Sequence, residues 1–133
     1  NIVMIGYFES LANKLKELGI DITVFDLDSA NKPVESIDKQ STYLSKADVV
    51  VLTATSIFNM TYNRVLTASN PSADILVLRP STPLDLLLFS DSSVKILFGT
   101  LFRMNDSSIL EIIRLGGAAK TFLPLAKKVY FCR

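Results

Sequence analysis

Thr53, Thr55, Ser56, Asn59 and Thr61 follow at once on the apolar run Asp48-Val49-Val50-Val51-Leu52. Hydroxyls and an amide packed this densely behind a β-branched run are groups that hold an anion or a carbonyl, together with the free amides of a following helix. The same residue types are ordinary helix caps. Pro80-Ser81-Thr82-Pro83 offers a second polar set. Its two prolines fix the loop, so Ser81 and Thr82 point in set directions and suit ligand contact. Arg79 beside them either pairs with an anionic ligand or lies on the surface. Gly6 ends the first apolar run and permits close backbone approach by a ligand. Tyr7 either stacks on a ligand or packs in the core, and Phe8 favours the core. Asp26 stands twenty positions after Gly6, the spacing of a ribose-binding acid in dinucleotide folds. The three-glycine fingerprint is missing, however, because Gly6 is followed by Tyr7-Phe8-Glu9-Ser10-Leu11. Asp26 therefore reads as an auxiliary acid, and a dinucleotide is disfavoured.

The chain has no histidine and a single cysteine, Cys132. A zinc site of nitrogen and sulfur ligands cannot be built from one copy. Histidine-dependent acid/base catalysis and Ser-His-Asp triads are excluded as well. Oxygen-only ligation by Asp26, Asp28 and loop hydroxyls would suit hard ions, but two carboxylates at one strand end do not define a metal site, and none is assigned. No catalytic residue or cofactor is assigned either. One cysteine allows no intramolecular disulfide and fits a reducing compartment, so a cytoplasmic location is expected. Cys132 itself reads as a small core filler in a terminal apolar strand. Net charge is +1 with scattered Lys and Arg, so no nucleic-acid partner is expected. No apolar run approaches the ~18 residues of a membrane helix, so no membrane partner is expected.

A length of 133 residues suffices for one domain with a core. The run Val49–Leu52 has the pattern of a strand buried on both faces. Ile2–Ile5 before Gly6 is the first strand, Glu9–Leu18 a helix stopped by Gly19, and Ile20–Asp26 the second strand. Residues 28–41 read as a loop, and Thr42–Lys46 as a helical turn. Helices are expected over Thr61–Ser69 and Ser107–Leu115, the latter capped by Asn105 or Asp106 and stopped by Gly116-Gly117. Asp74–Leu78, Val94–Phe98 (closed by Gly99) and Lys127–Cys132 are the remaining strands. Leu84–Phe89 reads as one or two helical turns. Alternating strands and helices imply right-handed βαβ units. The expected fold is a Rossmann-like three-layer α/β/α domain over residues 1–133. Its sheet is mainly parallel, five- to six-stranded, in order 2-1-3-4-5. The crevice then lies between the ends of strands one and three, with Gly6-Tyr7-Phe8 facing Thr53–Asn59.

Several pieces resemble, in order, one family. They are Gly6-Tyr7-Phe8, Val24-Phe25-Asp26-Leu27-Asp28, Ala47–Thr55, Asn59-Met60-Thr61, Pro80-Ser81-Thr82-Pro83-Leu84 and the helix ending at Gly116-Gly117. Together they resemble the Rossmann-like C-terminal domain of the putative heavy-metal chelation family of archaea and anaerobic bacteria. The resemblance implies a two-domain protein with a smaller α+β domain before this one, which agrees with a strand beginning at the first residues. It also implies metal- or corrinoid-related chemistry, with Asn59, Thr61, Ser81 and Pro83 lining the pocket. Arg79 and Leu115 depart from the family pattern, which has Gly and Glu there.

The leading expectation is a domain that binds a small polar or anionic ligand through Gly6, Tyr7, Asp26, Thr55, Asn59, Thr61, Ser81 and Thr82. The alternatives are an assembly module, such as a homodimer, and an enzyme domain completed by a separate N-terminal domain. Hydrophobic residues make up 49% of the chain, which requires either a sheet covered on both faces or apolar surface held against a partner through Leu84–Phe89 and Phe98–Phe102.

Overall fold

The computed structural model describes residues 1–102, 107–117, 121 and 125–133. Its six strands are β1 (Ile2–Ile5), β2 (Ile22–Phe25), β3 (Val49–Thr53), β4 (Asp74–Leu78), β5 (Val94–Phe102) and β6 (Ala126–Cys132). They form one sheet in the order β2-β1-β3-β4-β5-β6, parallel throughout except for the antiparallel β5–β6 pair. The helices are α1 (Glu9–Glu17), α2 (Gln40–Leu44), α3 (Thr55–Phe58), α4 (Tyr62–Ala68) and α5 (Ser107–Arg114). This is the expected mainly parallel α/β architecture with the expected strand order.

The period-two alternation of side chains along each strand divides the core between two faces. Val3 and Ile5 of β1, Val50 and Leu52 of β3, and Ile75 and Val77 of β4 join Phe25, Leu44 and Val65 on one face. Leu44 and Val65 belong to α2 and α4, which cover that side. Met4, Val24 and Val51 point the other way, onto Leu11, Ala12 and Leu15 of α1. Burial of each large aliphatic side chain contributes roughly 1.5–3 kcal/mol. The apolar run Val49–Thr53 is a central strand, its side chains buried in both directions. Phe25 also meets Tyr43 of α2 edge to face, with ring centroids 5.7 Å apart.

Several features differ from the sequence reading. β5 does not stop at Gly99 but runs on to Phe102, because β6 pairs antiparallel along Ile96–Phe102 and supplies the ladder. Gly99 is required inside that strand: a Cβ there would lie 3.0 Å from the Thr82 carbonyl oxygen. The polar stretch 28–41 is not loop throughout, since a 3₁₀ turn over Ile37–Lys39 runs directly into α2. Cys132 is not a core filler; it is exposed on β6, the edge strand of the sheet. Leu84–Phe89 is realised as a 3₁₀ segment over Leu86–Ser90, started by the Asp85 carboxylate accepting from the Leu87 amide. The Asn105 or Asp106 cap of α5 falls outside the described residues. Gly19 and Gly116 end α1 and α5 at φ +71° and +77°. Among the described residues no helix is long and apolar enough to cross a membrane.

The turn after β1 is the tightest point of the sheet. Gly6 has φ +90°, and its amide donates to the Phe25 carbonyl, which extends the β1–β2 ladder by one bond. A Cβ at Gly6 would stand 2.6 Å from Cγ2 of Thr53 on the neighbouring strand. Gly6→Ala therefore combines an unfavourable φ with a clash, and a loss of about 2–4 kcal/mol is expected in urea unfolding. Adding Thr53→Ser removes the methyl that is struck but leaves the backbone strain. The double variant should recover part of the loss; full recovery, or none, would contradict this division into two causes.

Candidate functional site

β1 leads through its helix to β2 on one side, and the chain then returns to β3 on the other. The switch point lies between the carboxyl ends of β1 and β3, where ligands bind in open α/β sheets. A cavity of about 230 Å³ opens there. Gly6, Asp26, Thr55, Asn59 and Thr61 of the expected set line it, together with Thr53, Ser56, Arg64 and Arg79. Tyr7, Ser81 and Thr82 do not line it. Tyr7 packs its ring in the cluster under α1, and its amide donates to Asp26 Oδ2 at 2.8 Å. Ser81 is exposed, and Thr82 is buried with its amide donating to the Arg79 carbonyl. A second hollow, around Asn1, Asp21 and Tyr43 at the amino ends of β1 and β2, lies away from the switch point.

The charged groups are distributed by strand order. Asp26 follows β2 and Arg79 follows β4, three strand positions away, so their backbones are separated by about 14 Å at the ~4.8 Å strand spacing. The β2 flank is internally neutralised in part. Asp26 accepts from the Tyr7 amide, the Asp28 amide and the Lys32 ammonium, and Lys32 also pairs with Asp28 at 3.0 Å. Burial works to raise the Asp26 pKa. The two amides and Lys32 together outweigh it and hold the carboxyl below the usual carboxylate range. Hydrogen bonding to Asp28, then to Asp26, raises the pKa of Lys32 against its partial desolvation.

The β3–β4 flank is cationic. Arg79 continues β4, its amide donating to the Phe98 carbonyl. Its guanidinium donates through Nε to Thr53 Oγ1 at 3.1 Å and sits 5.1 Å from the centroid of the Phe8 ring. Arg64 comes from the first turn of α4. Neither arginine has a carboxylate partner among the described residues.

The hydroxyls behind β3 are not helix caps. Neither Ala54 nor Thr61, the residues that open α3 and α4, makes a side-chain cap bond. Thr55 Oγ1 lies 3.1 Å from Thr53 Oγ1, and Thr61 Oγ1 donates to the Ser56 carbonyl at 3.4 Å. Ser56 Oγ is buried with no partner among the described residues. α3 is a single turn and α4 only two, so little helix dipole stands behind the expected anion site. The side chains must supply its polarity.

Arg64 and Lys32 are site groups that sequence reasoning did not select, and Thr53 is read there with the hydroxyls behind β3 but not placed in the expected ligand set. Arg64 carried a readable signal, three residues past Thr61 and on the same helical face. The Thr53–Arg79 and Asp26–Lys32 pairings carried none, since each depends on tertiary placement. Phe8 packs as expected, but it also supports the Arg79 guanidinium.

Asp26 binds its proton more weakly when folded than when unfolded. The unfolded chain therefore takes up more protons as pH drops towards and below ~3.9, and stability falls with it. Asp26→Asn should flatten that part of the pH–stability curve. It should also lower stability at pH 7 by on the order of 1 kcal/mol, as lost charge-assisted bonds require. Urea titrations from pH 3 to 7 check both; an unchanged acid limb contradicts the assignment.

A model of the family described as DUF364, putative heavy-metal chelation, matches residues 1–132. Two crystal structures of DUF364 proteins of unknown function share the fold. One, from Desulfitobacterium hafniense DCB-2, has a TM-score of 0.81 at 22% identity, over 99% of this chain and 52% of that one. The other, from Pyrococcus horikoshii, has a TM-score of 0.86 at 21% identity, over 99% of this chain and 54% of that one. The chain thus spans about half the length of each. No curated protein matches it. With the family model aligned along all but the last residue, the chain belongs to the DUF364 (putative heavy-metal chelation) family.

Proposed function

We propose that this domain binds a small anionic ligand in the cavity between the ends of β1 and β3. The observation that carries the reading is Arg79. Its guanidinium is fixed by Thr53 and Phe8 at the cavity wall, yet it has no carboxylate counter-charge among the described residues. An arginine held this way keeps its remaining N–H donors for an incoming oxyanion and loses little side-chain freedom on binding. Arg64 adds a second positive charge, and Thr55, Asn59 and Thr61 supply hydroxyl and amide groups around the rim.

The family's description raises heavy-metal ions as a ligand class, and the groups at this cavity do not fit a bare heavy-metal ion. Soft metals favour thiolate and imidazole. The chain has no histidine, and Cys132 is on the edge strand β6. The lining carboxylates, Asp26 and Asp28, are engaged by Lys32. Among the described residues no group of three metal-ligating side chains comes together. Any metal handled through this cavity would have to arrive as part of an anion. The reading of the chain as one half of a two-domain protein is supported by its coverage of about half of each matched structure.

A second reading, an assembly face, is favoured by Leu86 and Leu87, which are 71% and 76% exposed in the segment singled out for that role. A monomer at tens of micromolar by light scattering would count against it.

Thermal-shift titration with metal ions, nucleotides, tetrapyrroles and small oxyanions tests the anion reading. Arg79→Gln should weaken any oxyanion response at least tenfold, as expected for a lost charged hydrogen bond of about 1.5–3 kcal/mol. Thr53→Val, which releases the guanidinium without removing it, should weaken it less. Responses to metal ions alone, insensitive to both variants, would overturn the reading.

A further inference from the structure

Ser56 is 2% exposed, lines the cavity, and its hydroxyl has no partner among the described residues. Buried hydroxyls are ordinarily satisfied. Ser56, Tyr62 and Thr82 carry unpartnered ones among the described residues, and of these Ser56 belongs to the cavity lining, where rotation about χ1 would turn the hydroxyl to a ligand oxygen. We infer that the anion is the phosphoryl group of a small phosphate monoester, seated on Ser56, Arg79 and Arg64; this rests on the anion reading above.

Charge selects the phosphoryl group. Two guanidiniums without carboxylate partners among the described residues line the cavity, and a phosphate monoester carries about −1.5 to −2 at neutral pH. A carboxylate brings a single charge and would leave one guanidinium unmatched. Its oxygens also lie in one plane. The three terminal oxygens of a phosphoryl group offer acceptors in three directions, and the lining carries donors on α3, α4 and the end of β4.

Volume and the far wall select the rest of the molecule. About 230 Å³ lies below the ~300–1,000 Å³ of pockets that enclose drug-sized ligands. A phosphoryl group on a short carbon body fits, and a dinucleotide does not. The wall at the end of β2 carries Asp26 and Asp28, whose remaining lone pairs accept from hydroxyl groups. Anion at one end and hydroxyls at the other describe a phosphorylated polyol.

Calorimetric titration of the purified protein at pH 7.5 tests this. The probes are glycerol phosphate, inorganic phosphate, glycerol and malonate. Glycerol phosphate should bind at least tenfold tighter than malonate, and tighter than inorganic phosphate if the Asp26–Asp28 wall reads the hydroxyls. Ser56→Ala should weaken glycerol phosphate about tenfold with its melting temperature little changed. Ser56→Thr, which keeps the hydroxyl, should retain more of the affinity. Malonate binding as tightly as glycerol phosphate, with both lost in Arg79→Gln, overturns the phosphoryl inference and leaves the anion reading standing. Inorganic phosphate equalling glycerol phosphate overturns the polyol part and assigns the site to the free oxyanion. No heat from any anion overturns both readings, and so does binding indifferent to Ser56→Ala and Arg79→Gln.

Discussion

Thr53 touches both the sheet and the cavity, and each depends on how its side chain is turned. The methyl group packs against the backbone of Gly6 on the adjacent strand, closely enough that no side chain fits between them. The hydroxyl faces Thr55 and accepts the Arg79 Nε–H bond. One β-branched side chain therefore sets the spacing of β1 against β3 and also aims the cation at the end of β4. A β-branched residue has few χ1 rotamers, so the two roles are locked together. Moving the strand seam would move the guanidinium with it.

Around that residue the charges are separated rather than mixed. The acids after β2 are drawn into a local cluster with Lys32 and two backbone amides. The arginines on the other flank are held by a hydroxyl, an aromatic face and a helix, none of which cancels their charge. The parallel strand order produces this separation, because each strand delivers its following residue to the same end of the sheet at a fixed lateral step.

How much of this could be read from residues alone depended on the range of the interaction. The sheet was legible. Val49–Leu52, Ile2–Ile5 and Asp74–Leu78 carry the continuous apolar pattern of strands buried on both faces, and the intervening helices dictate parallel pairing. The extension of β5 past Gly99 was not, because glycine looks like a terminator until β6 is known to pair beside it. Cys132 was misjudged for a related reason: an apolar strand at the sheet edge looks the same in sequence as one in the middle. Within the cavity, Gly6, Asp26, Thr55, Asn59 and Thr61 were legible because they sit just after strands or before helices. Ser81 and Thr82 were selected on loop rigidity, which fixes direction but does not say which direction. Thr53 reads in sequence as one more hydroxyl behind a strand; its double role is not legible, because its partners lie 26 residues ahead and 47 residues back in the chain.

The antiparallel return of β6 also bears on how copies of the chain behave in crowded solution. β6 is the last strand of the sheet, and it carries exposed Lys127 and Lys128. Paired lysines on a border strand repel an identical strand laid alongside them, the usual guard against lateral growth into fibrils. The guard is uneven, since Tyr130 and Phe131 further along are 67% and 37% exposed. Salt that screens the lysines would weaken that repulsion beside the exposed aromatic pair.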